Sequence, residues 1–123
     1  MAKRILIADD EPNIVISLEF LLKREGYDVI VAQNGAEALV RIRAERPDMA
    51  ILDVMMPLRN GFEVCQELRQ DPEFMDLRIM MLTAKGRDTE VSKGLALGAD
   101  VYMTKPFSTR ELVAKVKALM EKA

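Results

Sequence analysis

At 123 residues, half of them apolar, the chain has the size of one compact domain spanning residues 1–123, long enough for one sizeable core. Eighteen basic residues stand against twenty acidic ones with both signs dispersed, so the formal charge of −2 gives no reason to expect a nucleic-acid surface. One cysteine and no histidine exclude an internal disulfide and the usual Cys/His zinc sites. The opening MAKRILIADDEPN reaches three acids after a short apolar run, unlike a signal peptide or a membrane span, so a soluble, cytoplasmic protein is expected.

The first apolar run, Ile5 to Ala8, has strand length and is followed by Pro12, suited to a first helical turn, and by Ile14, Leu18, Leu21 and Leu22 at helical spacing up to an exit at Gly26. Val29 to Ala32 reads as a second strand. Asn34 with Glu37 predicts a capping box for a helix carrying Ala38, Leu39 and Ile42, which ends before Pro47. Met49 to Leu52 is the third strand, and Val64, Cys65 and Leu68 mark the third helix. Ile79 to Leu82 is the fourth strand, followed by a helical segment with Val91 and Leu95 that leaves at Gly98. Val101 to Met103 is the fifth strand, and Ser108 with Glu111 predicts a second capping box before Leu112, Val116 and Leu119.

Five strands alternating with five helices over short connections predict an α/β fold, a doubly wound parallel sheet reached through right-handed crossovers. Strands one, three and four are the most purely apolar, as central strands buried on both faces must be. The second begins beside Tyr27 and Asp28 and the fifth carries Tyr102 and Thr104, which suits edges. The resulting order is 2-1-3-4-5, flavodoxin-like, with its switch point between strands one and three.

That order gathers the residues just after the strands at one rim: Asp9 and Asp10, then Asp53, Thr83 and Lys105. Three carboxylates at a partly dry switch point repel one another, and a hard divalent cation is the simplest remedy. Oxygen-only ligands suit Mg²⁺. With the cation bound, the acidic loop can receive a phosphoryl group, a carboxylate can act as nucleophile, and Lys105 and Thr83 can contact the phosphoryl oxygens. An aspartate after a strand is commonly a helix cap or turn former, and Asp9 or Asp10 taken singly reads that way. The joint occurrence at separate strand ends carries the chemistry. Met55, Met56, Met80 and Met81 read as core filling, and Cys65 as a small hydrophobe on an apolar helix face.

At Ile5-Leu6-Ile7-Ala8-Asp9-Asp10-Glu11-Pro12, Leu52-Asp53-Val54-Met55-Met56-Pro57 leading to Gly61, Leu82-Thr83-Ala84, and Gly98-Ala99-Asp100 through Lys105-Pro106-Phe107, the chain resembles the receiver domains of bacterial response regulators. These are the chemotaxis-regulator-like phosphoacceptor modules of two-component phosphorelay signalling. The resemblance implies that Asp53 is phosphorylated by a sensor histidine kinase or phosphotransfer protein, with Asp9, Asp10 and the Met55 carbonyl arranging Mg²⁺. It implies a cis peptide at Lys105–Pro106. It further implies a switch in which Thr83 moves toward the phosphoryl group and Tyr102 turns inward. An output face is expected on the fourth helix, fifth strand and fifth helix, with Arg87, Lys93, Asp100, Glu111 and Lys115, serving an output domain, a partner or a phosphorylation-dependent homodimer.

Two positions depart from the pattern: Leu58 stands where the family often has glycine, and Val101 where the winged-helix transcription-factor branch usually has a second aspartate. No turnover is expected beyond self-phosphorylation from a donor and self-dephosphorylation. A phosphatase passing the group through aspartate to water is the enzymatic alternative. Its usual pattern places two acids two residues apart after the first strand, whereas Asp9 and Asp10 are adjacent. A flavin protein would need a Ser/Thr/Gly-rich first loop. A non-phosphorylated interaction module is the remaining alternative, and the intact five-residue set argues against it.

Overall fold

The structure is a computed structural model that describes residues 3–83 and 97–121. Five parallel strands, β1 (Arg4–Ala8), β2 (Asp28–Ala32), β3 (Met49–Asp53), β4 (Arg78–Thr83) and β5 (Val101–Thr104), form one sheet in the order β2-β1-β3-β4-β5. The helices among the described residues are α1 (Pro12–Arg24), α2 (Gly35–Glu45), α3 (Gly61–Arg69) and a C-terminal α4 (Thr109–Met120), with a 3₁₀ turn at Pro72–Phe74. The helical segment expected around Val91 and Leu95 lies outside the described residues.

Strand composition explains the order. All five residues of β3 are buried, whereas edge strand β2 begins exposed at Asp28 and follows with half-buried Val29. Because side chains alternate across a strand, the sheet separates two cores. Ile5, Ile7, Met49, Ile51, Met80 and Leu82 face α1 and α4, where Leu18, Leu22, Leu112 and Val116 meet them. Leu6, Ala8, Ala50, Leu52, Ile79 and Met81 face α2 and α3, where Leu39, Ile42, Val64, Cys65 and Leu68 complete the packing. Met56, Met80 and Met81 are core filling as expected, while Met55 is 68% exposed.

The helix ends show which local signals prevail. Pro12 opens α1, and at its exit Gly26 N–H donates to Lys23 O while Tyr27 N–H donates to Leu22 O, a Schellman closure. Asn34 accepts from Glu37 N–H, but the Glu37 carboxylate accepts from Gln33 N–H rather than from Asn34, so only half of that box forms. Ser108 likewise caps Glu111 N–H, while the Glu111 carboxylate pairs with Lys115 one turn on. The complete box lies at Asn60 and Glu63, where each side chain accepts from the other's backbone N–H. Helix α2 leaves through Arg46 at φ 47, directly before Pro47.

Candidate functional site

Asp9 follows β1, Asp53 ends β3, Thr83 ends β4 and Lys105 follows β5, so the parallel sheet delivers all four to its carboxyl rim. Asp9, Asp53 and Thr83 are 2–3% exposed, and Asp10 stays exposed beside them. Carboxylate oxygens of Asp9, Asp10 and Asp53 all lie within 4.8 Å of one another. Lys105 Nζ sits 2.8 Å from Asp9 Oδ2, 3.0 Å from Glu11 Oε1 and 3.6 Å from Asp53 Oδ1. Its peptide bond to Pro106 is cis.

Among the described residues the acids outnumber the one lysine. Burial, and after it the charge of Asp9, push the Asp53 carboxyl up to about 7, although Lys105 and the Met55 N–H, 3.4 Å from Oδ1, pull the other way. Burial alone would lower the Lys105 pKa, but its contacts with Asp9, Glu11 and Asp53 outweigh that and raise it. Glu11 N–H donates to Asp9 Oδ1 at 2.9 Å, whereas buried Asp9 Oδ2 has the lysine's charge nearby without a well-directed hydrogen bond. A buried carboxylate oxygen left in that state, among two further carboxylates, fits a hard divalent cation taking oxygen ligands.

The backbone around Asp53 is held from several sides. Val54 N–H donates to Leu82 O, and Gly61 N–H donates to Val54 O. A Cβ at Gly61 would fall 2.6 Å from Asp53 O, so the first residue of α3 lies close against the Asp53 carbonyl. Between them Leu58 adopts φ 68 and Arg59 N–H donates to Pro57 O, a γ-turn with positive φ at an apolar residue that is 78% exposed. Leucine thus takes a positive φ at the position where glycine was noted as usual.

Tyr102 is half buried and packs on the α2/α3 core with Leu97. Glu111 and Lys115 pair at 3.5 Å on α4. Asp100 Oδ2 accepts from Ile79 N–H at 2.8 Å and pairs with Arg69 at 3.0 Å. The expected output-face residues Arg87 and Lys93 lie outside the described residues. Sequence reading passed over Glu11 and Arg69. Glu11 is adjacent to the acidic pair and was open to discovery. Arg69 gives no signal, because one arginine at a helix end is ordinary.

The acidic rim and Lys105 sit at the carboxyl end of a five-stranded doubly wound sheet, and residues 5–117 match the response regulator receiver domain family, to which the chain belongs. It is 50% identical over 123 residues to the alkaline phosphatase synthesis transcriptional regulatory protein PhoP of Bacillus subtilis, covering all of this chain and half the length of that relative. Among solved structures, the receiver domain of Francisella response regulator 1452 is 32% identical with a TM-score of 0.90, covering 97% of each chain. The Vibrio cholerae chemotaxis protein CheY4 is 30% identical with a TM-score of 0.91, covering 97% of this chain and 99% of that one.

Proposed function

We propose that this receiver domain is a phosphoacceptor switch in which Asp53 takes a phosphoryl group from a sensor histidine kinase or phosphotransfer protein. The observation that carries the reading is the buried Asp53 carboxylate at a strand end with Asp9, Asp10 and Lys105 gathered around it. Asp9, Asp10 and Asp53, with the Met55 carbonyl, would hold Mg²⁺, whose chemistry when bound is to neutralise the acids and the incoming phosphoryl charge. Asp53 supplies the nucleophilic oxygen: its bond to phosphorus forms as the donor's bond to phosphorus breaks, leaving an acyl phosphate. Lys105 gives the phosphoryl oxygens a point charge and Thr83 gives them a hydroxyl donor. A groove of about 430 Å³ lined by Pro12, Val15, Ile16, Val31 and Gln33 opens beside Asp9 and Asp10 and offers the donor an approach. Output then runs through Thr83 and Tyr102 to the face formed by β5 and α4. No other turnover is assigned to the chain.

Incubation with a small phosphodonor and Mg²⁺ should add one phosphoryl mass, on Asp53, and Asp53→Ala should take none. The same mass gain in that variant would refute the assignment.

A further inference from the structure

We propose that Arg69 and Asp100 are positioning residues for Lys105, fixing the strand that delivers the lysine to the phosphoacceptor site; the proposal deepens the reading above and rests on it. β5 is a four-residue edge strand paired with β4, and Lys105 is the next residue after it, so the lysine stands wherever β5 is held. Backbone pairing begins at Met80 and Val101. Asp100 extends it by one rung, its N–H donating to Ile79 O at 2.9 Å and its Oδ2 accepting from Ile79 N–H at 2.8 Å.

Arg69, at the end of α3, locks that rung. Its Nη2 donates to Asp100 Oδ2 at 3.0 Å, its Nε to Gly98 O at 2.9 Å and its Nη1 to Phe74 O at 2.9 Å, with the side chain only 15% exposed. The chain passes close over the arginine: Gly98 has φ 104, and a Cβ there would come within 2.7 Å of Arg69 Cγ. Cys65, one turn earlier on α3, donates to Leu97 O at 3.5 Å. The other end of α3 packs on Asp53 O through Gly61. One helix therefore grips both the nucleophile's strand and the entry to β5, and it sets the spacing between Asp53 and Lys105. A planar guanidinium can serve three acceptors in fixed directions, and a lysine in its place keeps the charge but not the fork. Asp100 thereby locks the register of β5, and a strand that loses register turns its side chains to the wrong face.

The test is a double-mutant cycle. Labelling by acetyl phosphate at saturating Mg²⁺ is followed by intact mass for Arg69→Lys and Asp100→Asn, each with and without Lys105→Ala, at a temperature where melting curves show every variant folded. Asp100→Asn keeps an acceptor for Ile79 N–H and removes only the charge facing Arg69. Each substitution should slow labelling about tenfold when Lys105 is present, the scale on which a displaced catalytic group is felt. In the Lys105→Ala background it should change the residual rate by less than about twofold, because the effect runs through the lysine. Mg²⁺ affinity by calorimetry should stay unchanged. Equal slowing in both backgrounds, an unchanged rate with Lys105 present, or lost Mg²⁺ binding would each overturn the positioning role. A wild-type chain that takes no label would overturn the receiver reading, and this proposal with it.

Discussion

Asp53 is an acid whose folded environment prefers its protonated form while no cation is bound. With its carboxyl raised to about 7 from 3.8, chiefly by burial, the folded chain holds a proton that the unfolded chain has already released between those values. Stability of the metal-free protein should therefore fall as pH rises through that window and carry the full penalty above it. Asp53→Asn is expected to stabilise the metal-free protein by roughly 1–3 kcal/mol at about pH 8 and by little at about pH 4. Chemical denaturation in chelator at both pH values checks this, and an equal gain at both would contradict it. Leu58 offers a second case at the same scale. A leucine at φ 68 bears a cost that glycine does not, while glycine loses more freedom on folding, so Leu58→Gly should leave a net gain of about 0.5–1 kcal/mol in denaturant midpoint measurements. The sequence marked that position as a departure from the family but could not show which way the backbone turned.

At the scale of elements, α3 carries the most consequence per residue. Gly61→Ala would set a methyl group 2.6 Å from Asp53 O and 2.9 Å from Met81 Cε, so either α3 retreats or the Asp53 carbonyl shifts. A loss of about 1–3 kcal/mol and slower labelling at Asp53 are expected together. Thermal melts alongside a labelling time course test the pairing, and a destabilised variant that labels at the wild-type rate would show that the contact matters only to packing. The strands were legible because short, charge-poor runs between turn residues are distinctive: the expected Met49 to Leu52 became Met49–Asp53, and Val101 to Met103 became Val101–Thr104. The caps were less legible. Asn34 and Ser108 cap as expected, yet their glutamates go to Gln33 N–H and to Lys115, neighbours that a four-residue pattern does not weigh. The same pattern at Asn60 and Glu63 closes fully. The Asp100 contact was not legible for a related reason: its partner Arg69 comes from a different element, and only the packed chain brings the two together.

At the scale of the whole molecule, the site and the expected output face are connected by β5, which carries Tyr102 before Lys105. The Glu111–Lys115 pair on that face is exposed, so it contributes little to stability and is free to exchange partners across a two-fold axis. Sedimentation with and without a stable phosphoryl mimic, at low and high salt, should show salt-sensitive self-association only with the mimic; an unchanged monomer would direct the search to a different protein partner. None of the helices among the described residues is long and apolar enough to cross a membrane.

The placement of Asp53 has one more consequence. It is the last residue of β3, a wholly buried strand paired on both sides, and the γ-turn loop begins a few residues later. Amide protons of the inner sheet can meet solvent only when the sheet itself opens, whereas those of a surface loop need no such event. Asp53 therefore stands where a buried, fully paired strand gives way to a surface loop, and hydrogen exchange is expected to be slower in the residues before it than in those after it.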